Sequence, residues 1–468
     1  MKKGITKIHK SNPLYTLIKI SNKIGFYLFY KRIEVRGKNN IPYGNPLIFT
    51  PNHQNALMDA LAVLFTCGLN LVFMARADIF RKKRQAKILN FLKILPIYRM
   101  RDGTEELSKN AQIFDLAQAV LADTKPICLM PEGNHGEQRR LRSLVKGSFR
   151  IAFNAQEKFG DRMDVKIIPV GLEYEHYQNF HQNLLINYGK AIEVKEFMDI
   201  YLQNPPKAIN QLKERLSDDL KKVMIHIENE EYYNIYQELR LIYNKRMRNR
   251  LGILENNLYQ CFVADKEMIR ILDENLSLNP EIMNTLKNQV SEYAEGVKNL
   301  NLRYWVIDRK GYRPLKILFS VLLLIIASPL FLFGWLNNII PYTLPQRMIR
   351  KVKDPQFHSS IKFGISFFIF PLYYSIIAVS ISLFTGFVWL PWLYIAAGIT
   401  TGYIALYYSF WFKKLKSALK YRKLISQSDP KLLRMVFLHE SIISKMNDMV
   451  EDSQKRYLPQ NNKVKNVS

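Results

Sequence analysis

FTPNHQNALMDAL, residues 49–61, carries the chain from an apolar strand into a helix. The residues before it complete PLIFTP, a short run of strand character, and ALMDALAVLF after it is apolar at helical spacing. Asn52, His53 and Asp59 sit where one pattern gives way to the other. Helical residues advance by about 100° each, so positions six apart diverge by about 120°. One continuous helix would not aim His53 and Asp59 at a single point. His53 is therefore expected in the loop, with Asp59 in the first helical turns, reaching back to one imidazole nitrogen. The other nitrogen then faces a cleft, which is how a carboxylate orients a histidine base. Alone, the same residues also read as turn and cap residues.

The strand-to-helix step repeats along the chain. From 41 to about 195, PLIFTP, LVFMA, ILPIY, PICLMP, VKIIPVGLEY and LLINYG alternate with helical periods such as EELSKNAQIFDLAQAVLAD. Strands interleaved with helices predict an α/β domain, a mixed sheet flanked by helices. Residues 1–36 are expected to form an amphipathic, interfacial helix running into RIEVRG, with Lys19, Lys23, Lys31 and Arg32 among aromatics. An ordinary surface helix of the domain fits them as well. The α/β domain is expected over 37–204. Residues 205–312 are rich in Lys, Glu and Arg at helical period, and predict a charged helical region.

Three long apolar runs follow, inside a membrane segment expected over 313–412. Each approaches or exceeds the roughly 20 residues that a spanning helix needs. The spans are placed at 363–384 and 387–410, with 315–340 either spanning or re-entrant. Basic clusters flank the first run on both sides and follow the third, and only the turn at Thr385–Gly386 lacks charge. The positive-inside preference then favours a hairpin of the second and third runs, with a first run broken at Pro329. All basic segments, and the α/β domain, would lie on the cytoplasmic face. A polar, basic tail is expected over 413–468, frayed after Lys455.

The 468-residue chain carries a net charge of +28, which suits a polyanionic partner. No zinc-ligand spacing, basic zipper or aromatic ribonucleoprotein motif supports nucleic acid, and the apolar runs point to membrane lipids instead. Three scattered cysteines, Cys67, Cys128 and Cys261, make neither a disulfide frame nor a metal site. The amino terminus, MKKGITKIHKSNPLY, is basic but lacks the apolar run and cleavage site of a signal peptide.

Other stretches bear on chemistry. In CLMPEGNHGEQRRLRSLVKGS, 128–148, a strand runs into Pro131-Glu132-Gly133, where Gly133 can take a tight turn. Turn N–H groups with Arg139, Arg140, Arg142 and Lys146 nearby would suit an anion; the plain alternative is a basic surface loop. In ILPIYRMRDG, 94–103, Arg99 and Arg101 follow a strand, where a guanidinium can take a phosphate bidentately. Ile168-Pro169-Val170 lies in a later apolar strand.

In this order, these pieces resemble the motifs of the glycerol-3-phosphate and 1-acylglycerol-3-phosphate acyltransferase family, over about residues 35–200. The resemblance implies that His53 is a general base on a glycerol hydroxyl and Asp59 its orienting partner. The hydroxyl attacks the thioester of acyl-CoA or acyl-carrier protein. The resemblance further places Arg99 on the acceptor phosphate and matches Glu132 and Gly133 to the third motif; with Arg139 and Lys146 of the basic turn, these are the expected phosphate-binding residues. Ile168, Pro169 and Val170 form the fourth motif, a strand on the acyl-donor side. It implies no metal and no bound cofactor, the acyl thioester being a co-substrate.

The chain departs from the family pattern twice. Five residues, not four, separate His53 from Asp59, as in the branch holding fungal glycerol-3-phosphate acyltransferases. Asn134 and His135 replace the usual Thr-Arg after Glu132-Gly133, so Arg139, Arg140 or His135 is expected to replace that arginine, unless the acceptor differs. Three other readings remain at this stage: an acyltransferase for another lysolipid, an inactive lipid-binding scaffold on the same fold, and a metal-dependent phosphatase using His53, Asp59, Glu132 and His135. Acyl chain length and oligomeric state are left open.

Overall fold

The computed structural model describes residues 8–10, 12–98 and 110–457. In chain order the elements are α1 (Pro13–Phe29), β1 (Arg32–Arg36), β2 (Leu47–Pro51), α2 (Ala56–Thr66), β3 (Val72–Arg76), α3 (Lys83–Phe91), β4 (Ile94–Ile97), α4 (Asn110–Ala122), β5 (Ile127–Cys128), α5 (Gly147–Phe159), β6 (Lys166–Tyr174), β7 (Asn183–Tyr188), β8 (Ile192–Glu193), α6 (Met198–Gln203) and α7 (Pro205–Val223). Then come α8 (Tyr233–Arg250), α9 (Leu258–Leu278), α10 (Pro280–Asn299), α11 (Tyr304–Asp308), α12 (Pro314–Ile349), α13 (His358–Thr385), α14 (Leu390–Ser426) and α15 (Pro430–Tyr457). The chain divides into two compact units: Met1–His226 with Pro345–Phe368, and Ile227–Leu344 with Ile369–Ser468.

The first unit is the expected α/β domain. Its strands form one sheet in the order β1-β7-β6-β2-β5-β3-β4, with β8 paired to β6. The stretch from β6 to β4 is parallel, while β7 and β8 run antiparallel to β6, so the sheet is mixed. Ile48 and Phe49 of β2 lie opposite Ile127 and Cys128 on one side and Ile167 and Ile168 on the other. All are fully buried, as expected of parallel strands covered on both faces. Helices α4, α5 and α7 contribute to one core layer, and α1 and α2 to the other.

This unit extends past both expected boundaries. β1 joins the sheet, with Arg32 opposite Asn183. Helix α7 belongs to the unit because Ala208, Leu212, Leu216 and Leu220, four residues apart, are completely buried in the sheet's core. A Cβ on Gly171 would lie 1.8 Å from the Val223 carbonyl oxygen, so the glycine after Ile-Pro-Val admits the end of α7.

The second unit holds the charged helices α8–α11, most of α12–α14, and α15. The segment expected to be a polar tail is instead largely helical through Tyr457. In α15, Leu438, Ile442, Met446 and Val450 are completely buried at four-residue spacing, and Arg434 pairs with Glu292 of α10 through two 2.8 Å contacts. The basic composition of this segment masks an amphipathic stripe.

The three apolar helices are long and apolar enough to cross a membrane. The first does not break at Pro329: α12 is a single 36-residue helix. Proline removes one N–H from the ladder, but the apolar helix continues through it. A Cβ on Gly334 would lie 2.1 Å from the Thr401 carbonyl oxygen, so α12 and α14 meet backbone to backbone, as small residues allow between apolar helices.

Candidate active site

His53, Glu132 and the Ile168–Val170 strand converge because β2, β5 and β6 are adjacent and parallel. Open parallel sheets place ligands beyond the carboxyl ends of their strands. Asn52 fixes how the chain leaves β2. Its side chain donates to the Leu172 carbonyl at 3.3 Å and accepts from the Leu172 N–H at 2.7 Å. His53 thus leaves the sheet from a pinned residue.

His53 Nδ1 lies 2.8 Å from Asp59 Oδ2. The same oxygen accepts the backbone N–H groups of Gln54 and Asn55, each at 2.8 Å, and Oδ1 accepts the Tyr174 hydroxyl at 2.7 Å. Asp59 is fully buried in the first turn of α2. Four donors converge on it, and an ionised carboxylate only accepts. Nδ1 therefore carries its proton, and a neutral His53 keeps its lone pair on Nε2. Burial first, and then the Asp59 charge, push the Tyr174 hydroxyl well above its ordinary range, so it remains a donor. Between His53 and Asp59 the chain turns sharply: Ala56 adopts φ 36°, a left-handed conformation that a non-glycine residue rarely takes.

Glu132 ties the second loop to the first. Its Oε1 accepts the His53 N–H at 2.8 Å and its Oε2 the Arg142 N–H at 3.1 Å. The Gly136 N–H donates to the His53 carbonyl at 3.0 Å, and the Gln54 side chain to the Gln138 carbonyl at 2.8 Å. Burial pushes the Glu132 carboxyl up to about 7 against the opposing pull of these donors. Gly133 takes the tight turn expected of it, with φ 67°.

Among the described residues, the expected phosphate contacts do not converge on one point. Glu132 presents a carboxylate to two backbone N–H groups, which makes it a loop clamp; a carboxylate would repel phosphate. Arg139 points to the end of β6, pairing with Glu173 at 3.3 Å and donating to the Tyr174 carbonyl. Lys146 is exposed at the N-terminus of α5. Ile168, Pro169 and Val170 are buried inside the sheet and support it. Arg99 lies outside the described residues. His135 does approach His53, the two rings edge-on with centroids 5.5 Å apart.

Sequence reasoning missed Tyr174 as the second partner of Asp59 and treated Asn52 only as a turn residue. Pairing of β6 beside β2 brings Tyr174 to Asp59, and no spacing in the chain announces a contact across 115 positions. Among the described residues, no group of three or more His, Cys, Asp or Glu side chains is placed to hold a metal ion. Cys67 and Cys128 are buried free thiols, with burial raising Cys67 to about 11 and Cys128 well above its ordinary value.

An acyltransferase family model matches residues 32–173. Glycerol-3-phosphate O-acyltransferase 1 of Saccharomyces cerevisiae is 25% identical over 230 residues, covering 46% of this chain and 30% of that protein. The 1-acyl-sn-glycerol-3-phosphate acyltransferase alpha of Homo sapiens is 25% identical over 155 residues, covering 33% of this chain and 50% of that protein. The chain thus spans half or less of the length of these relatives. A crystal structure of the 1-acyl-sn-glycerophosphate (LPA) acyltransferase PlsC from Thermotoga maritima matches with a TM-score of 0.30 and 18% identity, over 44% of this chain and 80% of that one.

Proposed function

Residues 32–173 belong to the acyltransferase family, and from that premise we propose that the chain is a membrane-bound O-acyltransferase of phospholipid biosynthesis. It moves a fatty acyl group from acyl-CoA or acyl-carrier protein to a hydroxyl of glycerol-3-phosphate or 1-acylglycerol-3-phosphate. The observation that carries this reading is the 2.8 Å contact between His53 Nδ1 and an Asp59 held by three further donors.

His53 Nε2 removes the proton from the acceptor hydroxyl as its oxygen attacks the thioester carbonyl. The new C–O bond forms and the C–S bond breaks, and the proton on Nε2 passes to the departing thiolate. Asp59 holds the imidazole in one tautomer and stabilises the imidazolium between the two transfers. Glu132 holds the His53 backbone in place. The three apolar helices would keep the domain at the membrane, where the acyl products reside; their length and composition support this.

The test is transfer of labelled acyl groups, from each donor in turn, by membranes containing the protein. Glycerol-3-phosphate and 1-acylglycerol-3-phosphate are supplied separately, with and without chelator. Labelled product from one acceptor, undiminished by chelator, supports the reading. Release of phosphate from the acceptors, lost with chelator, would replace it with a metal-dependent phosphatase.

A further inference from the structure

The family match ends at residue 173, yet a segment nearly two hundred positions later is built into the same site. Residues 350–357 join α12 to α13 and belong to the first unit. Asp354 Oδ2 lies 3.0 Å from His135 Nε2, while its Oδ1 accepts the Gln356 N–H at 3.1 Å. Phe357 lies edge-on to the His135 ring, with centroids 4.9 Å apart, and His135 in turn meets His53. A second His–Asp pair therefore stands beside the first, its carboxylate supplied from between two apolar helices.

The segment is firmly seated. The Leu57 N–H, in the first turn of α2, donates to Ser360 Oγ at 3.1 Å. Ser359 Oγ donates to the Tyr177 carbonyl, and Lys362 Nζ to the Gln178 carbonyl at 2.8 Å. Gln356, Ser359 and Lys362 are all buried. Burial works to raise the Asp354 carboxyl, but the His135 and Gln356 hydrogen bonds outweigh it and hold the group below its ordinary value.

Beside this pair opens a cavity of about 570 Å³ whose walls include Arg76, His135, Arg142, Lys353 and Asp354. Arg76 ends β3, Arg142 follows the Glu132 loop, and Lys353 comes from the joining segment. Arg142 Nη1 donates to the His135 carbonyl at 2.6 Å, fixing the guanidinium at the rim. Arg76 is already paired with Asp78, which leaves Arg142 and Lys353 facing Glu137 and an Asp354 already engaged by His135. The three-carbon glycerol unit separates a phosphate from the hydroxyl at its other end. An anion site one ring away from His53 therefore suits a glycerol phosphate whose far hydroxyl meets the base.

We propose that this cavity is the phosphate-monoester subsite of the enzyme and that the segment between the first two apolar helices completes it. Lys353 contacts the phosphate directly, and Asp354 acts as a positioning residue for His135. This rests on the acyl-transfer reading above. It also gives a physical reason for the loss of the family's arginine at position 135: the positive charge comes from Arg142 and Lys353 instead. A phosphate monoester occurs on the glycerol acceptor and also on the ribose of coenzyme A. The subsite is assigned to the acceptor, and the kinetics below separate the two.

The test uses the full chain in membranes, with kcat and both KM values measured for Lys353→Ala, Asp354→Ala and Asp354→Asn. Lys353→Ala should raise the acceptor KM about tenfold or more, the usual effect of removing a charged hydrogen-bond donor, with a much smaller change in the acyl-donor KM. Asp354→Ala should raise the acceptor KM as well. Asp354→Asn should restore part of it, because an amide can still hydrogen-bond the His135 ring. Lys351→Ala, outside the cavity, should match wild type and exclude a general charge effect. Unchanged acceptor KM in both Lys353→Ala and Asp354→Ala overturns the proposal, as does a rise confined to the acyl-donor KM.

A second readout needs no turnover. Inorganic phosphate should raise the unfolding temperature of the detergent-solubilised full chain, and Lys353→Ala should lose that rise. A phosphate effect lost in Lys353→Ala, with no acyl transfer to either acceptor, keeps the subsite and sinks the proposed reaction. If transfer is absent, a missing phosphate effect in wild type, or one that Lys353→Ala leaves unchanged, overturns the subsite.

Discussion

Tyr174 donates its hydroxyl to Oδ1 of Asp59, the carboxylate oxygen that His53 does not use, at 2.7 Å. The catalytic pair proposed from residues 53 and 59 is thus a triplet whose third member ends β6. Tyr174→Phe leaves the ring's packing but removes the donor. It should cost about 1.5–3 kcal/mol of stability, typical of a hydrogen bond to a charged group. Turnover should fall by less than tenfold, since Asp59 keeps its other three donors. Unfolding curves and kcat on the same preparations check both.

Asp59→Asn retains an oxygen for the Gln54 and Asn55 N–H groups but removes the charge that stabilises an imidazolium. It should lower kcat by about 10²–10⁴, the range that positioned acid–base catalysis contributes. The acceptor KM should stay near wild type. Steady-state kinetics separate these effects, and an increase confined to KM would assign Asp59 to binding instead.

Glu132 titrates in a useful window. Its carboxyl is raised to about 7 in the folded protein from an ordinary 4.5. A raised carboxyl favours the folded state while protonated. Its contribution is fully present below about 4.5 and is lost as pH rises through about 7. Wild type should therefore lose unfolding temperature between those values relative to Glu132→Gln, and the difference should level off above them. Parallel curves for the two proteins from pH 4.5 to 7 would contradict the assignment.

Gly133 occupies the left-handed region, and a Cβ there would sit 3.0 Å from Val145 Cγ1. Gly133→Ala should destabilise by about 1–2 kcal/mol, the steric cost of that conformation for a residue bearing a side chain. Thermal unfolding measures it. The loss should exceed that of Gly252→Ala, at φ 68°, where a Cβ would meet nothing within 4 Å.

The α/β order of the first unit was legible because each buried strand is a short apolar run between helical periods. The local geometry of His53 and Asp59 was legible because six-residue spacing on one helix cannot converge. The rest was hidden by distance along the chain. Tyr174 reaches Asp59 only through the register of β6 beside β2, and Asp354 reaches His135 only because the segment after α12 returns to the sheet domain. Glu132 and Arg139 looked like parts of an anion site by composition, yet backbone groups claim both. The tail looked solvated because its charges outnumber the four-residue stripe of Leu438, Ile442, Met446 and Val450.

The most direct test of the central claim compares His53→Ala with wild type in membranes carrying equal amounts of folded protein. Labelled acyl-CoA and acyl-carrier protein are offered with glycerol-3-phosphate or 1-acylglycerol-3-phosphate. The proposed mechanism predicts transfer by wild type to one of these acceptors. In His53→Ala the rate should fall by about 10²–10⁴, with the unfolding temperature unchanged within a few degrees. Transfer by His53→Ala at the wild-type rate would contradict a base at His53, and with it the mechanism built on the Asp59 contact.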